Sequence, residues 1–161
     1  MKGIKILGED RCHIVLMEAI LQKTGIRIRT EKLISKGNVL PKLEEQLRLQ
    51  DDRSVFFDGE LIIVDEDRVK IDLPKIRNTA GQLLWKNYTL VLTPNNCEGF
   101  LLFWLGIDCK SPKSKFKEVK NDYNYSDDGA FIRYIVNELV NWNNLPKLLN
   151  SLLNFLHSLG N

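Results

Sequence analysis

Leu61-Ile62-Ile63-Val64-Asp65-Glu66-Asp67-Arg68 sets four consecutive large apolar residues directly before three acids. An unbroken apolar run of this length suits a strand covered on both faces, the pattern of a parallel sheet. Its carboxylates then fall at the strand's carboxyl end, where open α/β sheets gather their ligands. Asp65 and Asp67 are two residues apart. If strand geometry continues, both side chains share one face, roughly 6.6 Å apart along the chain. Like charges so placed repel, and a cation with hard oxygen ligands relieves the cost, which points to Mg²⁺ or Mn²⁺. The same acids also suit a solvated turn, including the turn of a hairpin pairing residues 60–64 with residues 69–73.

The surrounding pattern bears on that choice. Residues 3–8 read as a first strand, leading directly into Glu9 and Asp10. Ile14, Met17 and Leu21 form a helical stripe through residues 11–24, and Gly25 is a natural stop. A second strand is expected over 26–33, and a helix over 39–50 carrying Leu40, Leu43 and Leu47. Asn38 is a plausible cap for that helix and Pro41 suits its first turn. After the quoted strand come a helix with Ile76, Ala80, Leu83 and Leu84, a strand at 88–92, and a helix over 100–105 preceded by Glu98. Strand and helix alternate four times, which predicts an α/β fold: a Rossmann-like, mostly parallel four-stranded sheet flanked by helices. Residues 108–128 read as a basic loop or short exposed helix. Two helices, near 128–142 and 145–159, form a helical C-terminal extension. No repeat or linker divides the chain, so residues 1–161 are expected to form one domain, with a core over 1–106.

Composition narrows the function classes. The 161 residues are 43% hydrophobic and 27% charged, ordinary for a globular chain. With 23 basic and 21 acidic side chains, the +2 net charge gives no general case for nucleic-acid binding. Local clusters must carry it: Lys36 near Arg27, Arg29 and Lys32, and the segment holding Lys110, Lys113 and Lys115. Cys12, Cys97 and Cys109 are odd in number and not in paired spacing, so no disulfide framework is expected. No apolar run approaches the roughly 20 residues of a membrane span, and no signal-peptide pattern is visible. A cytoplasmic protein with reduced cysteines, away from membranes, is the expectation.

The order of these motifs resembles a compact Toprim domain, nearest to stand-alone relatives of overcoming-lysogenization-defect nucleases and RloB-like phage-defence proteins. Ile6-Leu7-Gly8-Glu9 matches the family's strand ending in Glu. Lys36-Gly37-Asn38-Val39-Leu40-Pro41-Lys42-Leu43 resembles its Gly-rich turn and amphipathic helix. Asp65-Glu66-Asp67 matches its Asp-x-Asp, and Pro94-Asn95-Asn96-Cys97-Glu98-Gly99-Phe100-Leu101-Leu102 its later Glu-helix segment. The likeness covers about residues 3–106. Where the family often has a second acid four residues after its Glu, this chain has His13. The resemblance implies metal-dependent phosphoryl transfer on nucleic acid, nuclease-like, in genome maintenance or phage defence. Glu9, Asp65 and Asp67 would be catalytic and, with Glu98, would ligate Mg²⁺ or Mn²⁺. Larger relatives carry an ATPase, which implies a partner ATPase here.

Two other classes compete. Asp65-Glu66-Asp67-Arg68-Val69 also fits the Asp-x-Asp-x-Val of haloacid-dehalogenase-like phosphatases, although that motif normally opens its fold and no later strand ends in paired aspartates. A non-catalytic nucleic-acid- or protein-binding module on the same fold is the third. His13 is a candidate ligand or proton shuttle, with a structural first-turn role the commoner alternative. Cys97 reads as packing, and Trp85, Trp104 and Trp142 as core. Phe155 and Leu159 extend the apolar stripe of the C-terminal helix, which would suit a homodimer contact.

Overall fold

A computed structural model describes residues 2–49, 57–66, 72–85 and 87–160. Its four strands are β1 (Gly3–Gly8), β2 (Arg29–Ile34), β3 (Gly59–Asp65) and β4 (Tyr88–Thr93). They form one all-parallel sheet in the order β2-β1-β3-β4. The central strands β1 and β3 are buried at every position, which is why both are dominated by apolar residues instead of alternating with polar ones. β3 pairs with β1 on one side and β4 on the other, so the hairpin alternative for residues 60–73 is excluded. β2 lies at an edge and begins at Arg29, three residues later than expected. Its Arg29, Glu31 and Lys32 discourage pairing with a further strand.

The helices are α1 (Arg11–Thr24), α2 (Leu40–Leu49), α3 (Leu73–Gly81), α4 (Cys97–Trp104), α5 (Pro112–Asp122), α6 (Asp128–Tyr134) and α7 (Lys147–Gly160), with a π-helical turn at Ile135–Leu139 prolonging α6. α1 begins at 11 because the Asp10 side chain accepts the His13 backbone N–H at 3.0 Å. It ends at 24 because Gly25 takes the left-handed conformation, φ 69°.

Alternation along each strand divides the core in two. Ile4, Ile6, Leu61 and Ile63 face α1 and α4–α7. Leu7, Ile62 and Val64 face α2 and α3, meeting Leu40, Leu43, Ile76 and Ala80. Each such side chain taken fully out of water contributes roughly 1.5–3 kcal/mol. The result is a three-layer, Rossmann-like α/β fold, and α5–α7 share the larger core with β1 and β3 instead of forming a separate body. Lys5 falls on the α2/α3 face and is wholly buried. Its ammonium lies 3.6 Å from Glu31 and over the rings of Phe57 and Trp85, the company a buried cation requires.

One expectation is resolved and two are revised. Of the loop or short exposed helix expected over 108–128, the structure has a helix at Pro112–Asp122, because Phe116 and Val119, three residues apart, anchor one face in the core. In α7, Leu159 is buried and Phe155 packs partly buried in the same cluster, so the residues that suggested a dimer contact are turned into this chain's own core. The cysteines are not all reduced. Cys12 and Cys97 form a disulfide, with Cα atoms 6.2 Å apart, while Cys109 is free. The two partners are 85 residues apart, and only the convergence of the α1 and α4 starts brings them together. No described helix is long and apolar enough to cross a membrane.

Two outcomes follow from this packing. A Cβ at Gly59 would come within 3.0 Å of the Asn87 carbonyl and 2.9 Å of Leu159. Gly59→Ala should therefore lower unfolding free energy by about 1–3 kcal/mol in urea titration. Reduction of the disulfide, or Cys12→Ser with Cys97→Ser, should remove roughly 2–4 kcal/mol, read as a lower Tm with and without reductant.

Candidate functional site

Because β1 and β3 are neighbours while their helices leave toward opposite faces, their carboxyl ends form the crevice where strand order reverses, the usual place for a ligand in open α/β sheets. Glu9 and Asp65 both stand there, buried at 2% and 6% relative exposure. Glu9 ties three segments together. Its backbone N–H donates to the Ile63 carbonyl at 3.1 Å, and its own carbonyl accepts the Gly37 N–H at 3.1 Å. Its Oε2 accepts the Asp65 backbone N–H at 2.6 Å.

His13, with no exposed surface, occupies the centre of this edge. Its Nδ1 is 2.7 Å from Asp10 Oδ1. Its Nε2 is 2.9 Å from Thr93 Oγ1 and 3.1 Å from Asp65 Oδ1. Thr93 Oγ1 also lies 3.1 Å from the Val64 carbonyl and 3.2 Å from Asp65 Oδ1. With a carboxylate oxygen at each ring nitrogen, the imidazole is best satisfied as a double donor, the protonated form. Burial alone would depress its pKa, but the hydrogen bonds to Asp10 and Asp65 and their charges outweigh burial and raise it to about 9. Burial likewise works to raise Asp10, yet the His13 hydrogen bonds and charge, with Lys113, hold it below the usual carboxylate range. Glu98, in the first turn of α4, goes the other way: burial foremost, then the charges of Asp10 and Asp65, raise its pKa against the pull of its own backbone N–H and Lys113.

The structure thus brings together Glu9, Asp65 and, close enough to feel the Asp65 charge, Glu98. Asp67 lies outside the described residues. The described part of the segment ends with β3 at Asp65 and Glu66 in helical conformation. The phosphate-contact candidates separate. Lys113 lies near enough to shift Asp10 and Glu98. Lys36 is exposed on the turn whose Ser35 and Gly37 bond the Glu9 carbonyl. Lys115 pairs with Glu118 at 3.2 Å. Lys110 is exposed before α5 and does not line the groove over Glu98, which Lys113, Lys117 and Lys120 border.

The donor set fits a divalent ion of one kind. Among the described residues no three His, Cys, Asp or Glu side chains form a ready-made cage. Mg²⁺ is typically held by one or two carboxylates, several waters and the substrate's phosphates, and not by an all-protein cage. Glu9 and Asp65 supply that many carboxylates, with His13 already against one Asp65 oxygen and Glu98 close enough to feel the Asp65 charge.

Sequence reasoning passed over Asp10 and Thr93 as partners of His13, while Lys117 and Lys120, which belong to the basic segment 110–120 read there as able to contact phosphates, wall the groove. The spacing of Asp10 and His13, an N-cap and its third residue, was the available signal. Thr93 carried none, since β4 is brought beside β3 only by the fold. Protein-family models, curated proteins and solved structures give no significant match to this chain.

The raised pKa of His13 sets a pH dependence. A group whose pKa is higher folded than unfolded stabilises fully below its unfolded value, here 6.5, and loses that contribution as pH rises through about 9. A shift of this size is worth roughly 3 kcal/mol at about 1.4 kcal/mol per unit. In chemical denaturation from pH 6 to pH 10, the wild type should lose stability across this window. His13→Gln should start lower and show a flatter profile, and equal slopes would contradict a charged His13.

Proposed function

We propose that this chain binds a divalent cation at the carboxyl edge of β1 and β3 and uses it in phosphoryl transfer on nucleic acid. One observation carries the reading: Glu9, just past β1, and Asp65, the last residue of the neighbouring β3, are held together at the switch point by the 2.6 Å bond from the Asp65 N–H to Glu9 Oε2. Toprim-like chemistry is the activity that the order of motifs favours, with Glu9 and Asp65 as ligands, Glu98 beside them, and Asp67 following in sequence. When bound, Mg²⁺ or Mn²⁺ would activate water and neutralise charge developing on the phosphate.

The chain's own residues then have separable tasks. Glu9 holds the carboxyl end of β3 through its bond to the Asp65 amide. His13 and Thr93 fix the rotation of the Asp65 carboxylate by holding Oδ1, as outer partners orient metal-binding groups. Glu98, whose pKa burial raises, lies in the groove bordered by Lys113 and Lys117. Lys113 and Lys117 offer ammonium groups for phosphate oxygens beside it.

A binding module without catalysis is the second reading. It is favoured by the fact that Asp65 already has a cation, His13, against one oxygen. The phosphatase reading draws less support: Asp127 caps α6 and Asp128 pairs with Lys120 at 2.7 Å, so neither ends a strand.

Calorimetric titration with Mn²⁺ and cleavage of plasmid DNA and single-stranded RNA test the proposal. Asp65→Ala and Glu9→Gln should abolish Mn²⁺ binding and reduce cleavage beyond the roughly 10–100-fold that loss of an outer-shell partner brings. Equal cleavage by wild type and Asp65→Ala would sink the assigned chemistry. Mn²⁺-independent binding without cleavage would favour the module, and turnover of a small phosphomonoester the phosphatase.

A further inference from the structure

A cavity of about 290 Å³ opens between the starts of α1 and α6 and the flank of α5. It lies at the small end of ligand sites, which run from roughly 300 to 1,000 Å³. Its floor is apolar, made by Val15, Phe116 and Ile132. Its rim is polar and of both signs: Arg11 can donate, Asp127 can accept, and Ser126 can do either. A flat, small, apolar-faced group with donors and acceptors on its edge matches such a lining; a purely aliphatic or purely anionic ligand does not.

The cavity is not isolated. Glu98, Phe116, Lys120 and Asp128 belong both to its wall and to the open groove bordered by Lys113 and Lys117. Lys113, Lys117 and Lys120 stand at i, i+4 and i+7 of α5 and so share one face of the helix. Lys120 is tied to Asp128 at 2.7 Å. Lys113 and Lys117 are exposed and make no ion pair with a described residue. A ligand filling both spaces would place an anion on these two ammonium groups and a flat polar-edged ring on Phe116.

From this juxtaposition we infer that the cavity is a base-binding pocket: it receives one unstacked nucleobase, whose phosphate lies on Lys113 and Lys117. The ligand class is a nucleotide, free or within a single strand. An unpaired strand is the form the lining favours, since a base in a duplex cannot leave its stack without cost and unpaired bases stack on aromatic side chains without regard to pairing. The inference deepens the phosphoryl-transfer reading and rests on it for the chemistry, though not for the binding. It places the substrate strand across Glu98, between the pocket and the Glu9–Asp65 edge.

Fluorescence-anisotropy titrations of the full chain in EDTA test it, using labelled hexa-adenylate, a hexameric abasic phosphodiester backbone, and competition by adenosine monophosphate. Hexa-adenylate should bind at least about tenfold more tightly than the abasic backbone. Ser126→Trp fills the mouth from an exposed position and should erase that preference while leaving the abasic affinity unchanged. Lys117→Glu should weaken both probes. Equal binding of base-bearing and abasic strands would overturn the pocket and leave only a phosphate surface, and so would a Ser126→Trp chain that keeps the preference. Adenosine monophosphate competing as well as the hexamer would support the pocket and assign it to free nucleotides. Loss of Mn²⁺ binding with the base preference intact would count against the metal alone. Metal-dependent cleavage with no base preference would count against the pocket alone.

Discussion

His13 carries both ring nitrogens against carboxylate oxygens, Asp10 on one side and Asp65 on the other, with no surface open to water. A charge buried in this way is tolerable only while its partners stay in place, because removing one leaves the other uncompensated. Much else hangs on this contact. It fixes the start of α1 through the Asp10 cap, joins α1 to β3 through Asp65 and to β4 through Thr93, and keeps negative groups at one sheet edge from driving it apart. The acidic end of the sheet is thus built around a cation that the chain supplies itself.

The disulfide acts beside that contact in a different way. Cys12 immediately precedes His13, and Cys97 immediately precedes Glu98. The covalent bond therefore sets the separation between the two helix starts that bear the candidate site, while the imidazolium sets the charge between them. One constraint is indifferent to pH and sensitive to reductant; the other is the reverse.

Much of the architecture was legible in the sequence. β1 and β3 announce themselves because burial on both faces leaves little room for polar residues. The limits of α1 could be read closely because Asp10 and Gly25 are chemical stops as well as pattern breaks. Glu9 and Asp65 were legible as strand-end acids. Their direct coupling was not, since it depends on β1 and β3 becoming neighbours across 56 residues of sequence. The start of β2 was misplaced because Ile26 and Ile28 pack against the core without joining the sheet. α5 stayed open between a loop and a short helix, as two apolar anchors among its lysines, Phe116 and Val119, are too few to show a clear stripe. The disulfide and the double pairing of His13 were hidden for a common reason: each depends on a meeting of distant segments that no local pattern records.

The placement of α7 bears on the order in which the molecule can be assembled. Leu149, Leu152, Leu156 and Leu159 complete the same core that Ile4, Ile6, Leu61 and Ile63 begin. During synthesis the sheet can form once β4 has emerged, but the start of β3 at Gly59 stays uncovered until residues 147–160 have been made. Until then the part of this face that the α7 leucines cover stays exposed beside α1 and α4, a condition under which nascent chains associate with one another or with chaperones. The Rossmann-like half of this protein is therefore topologically early and thermodynamically late.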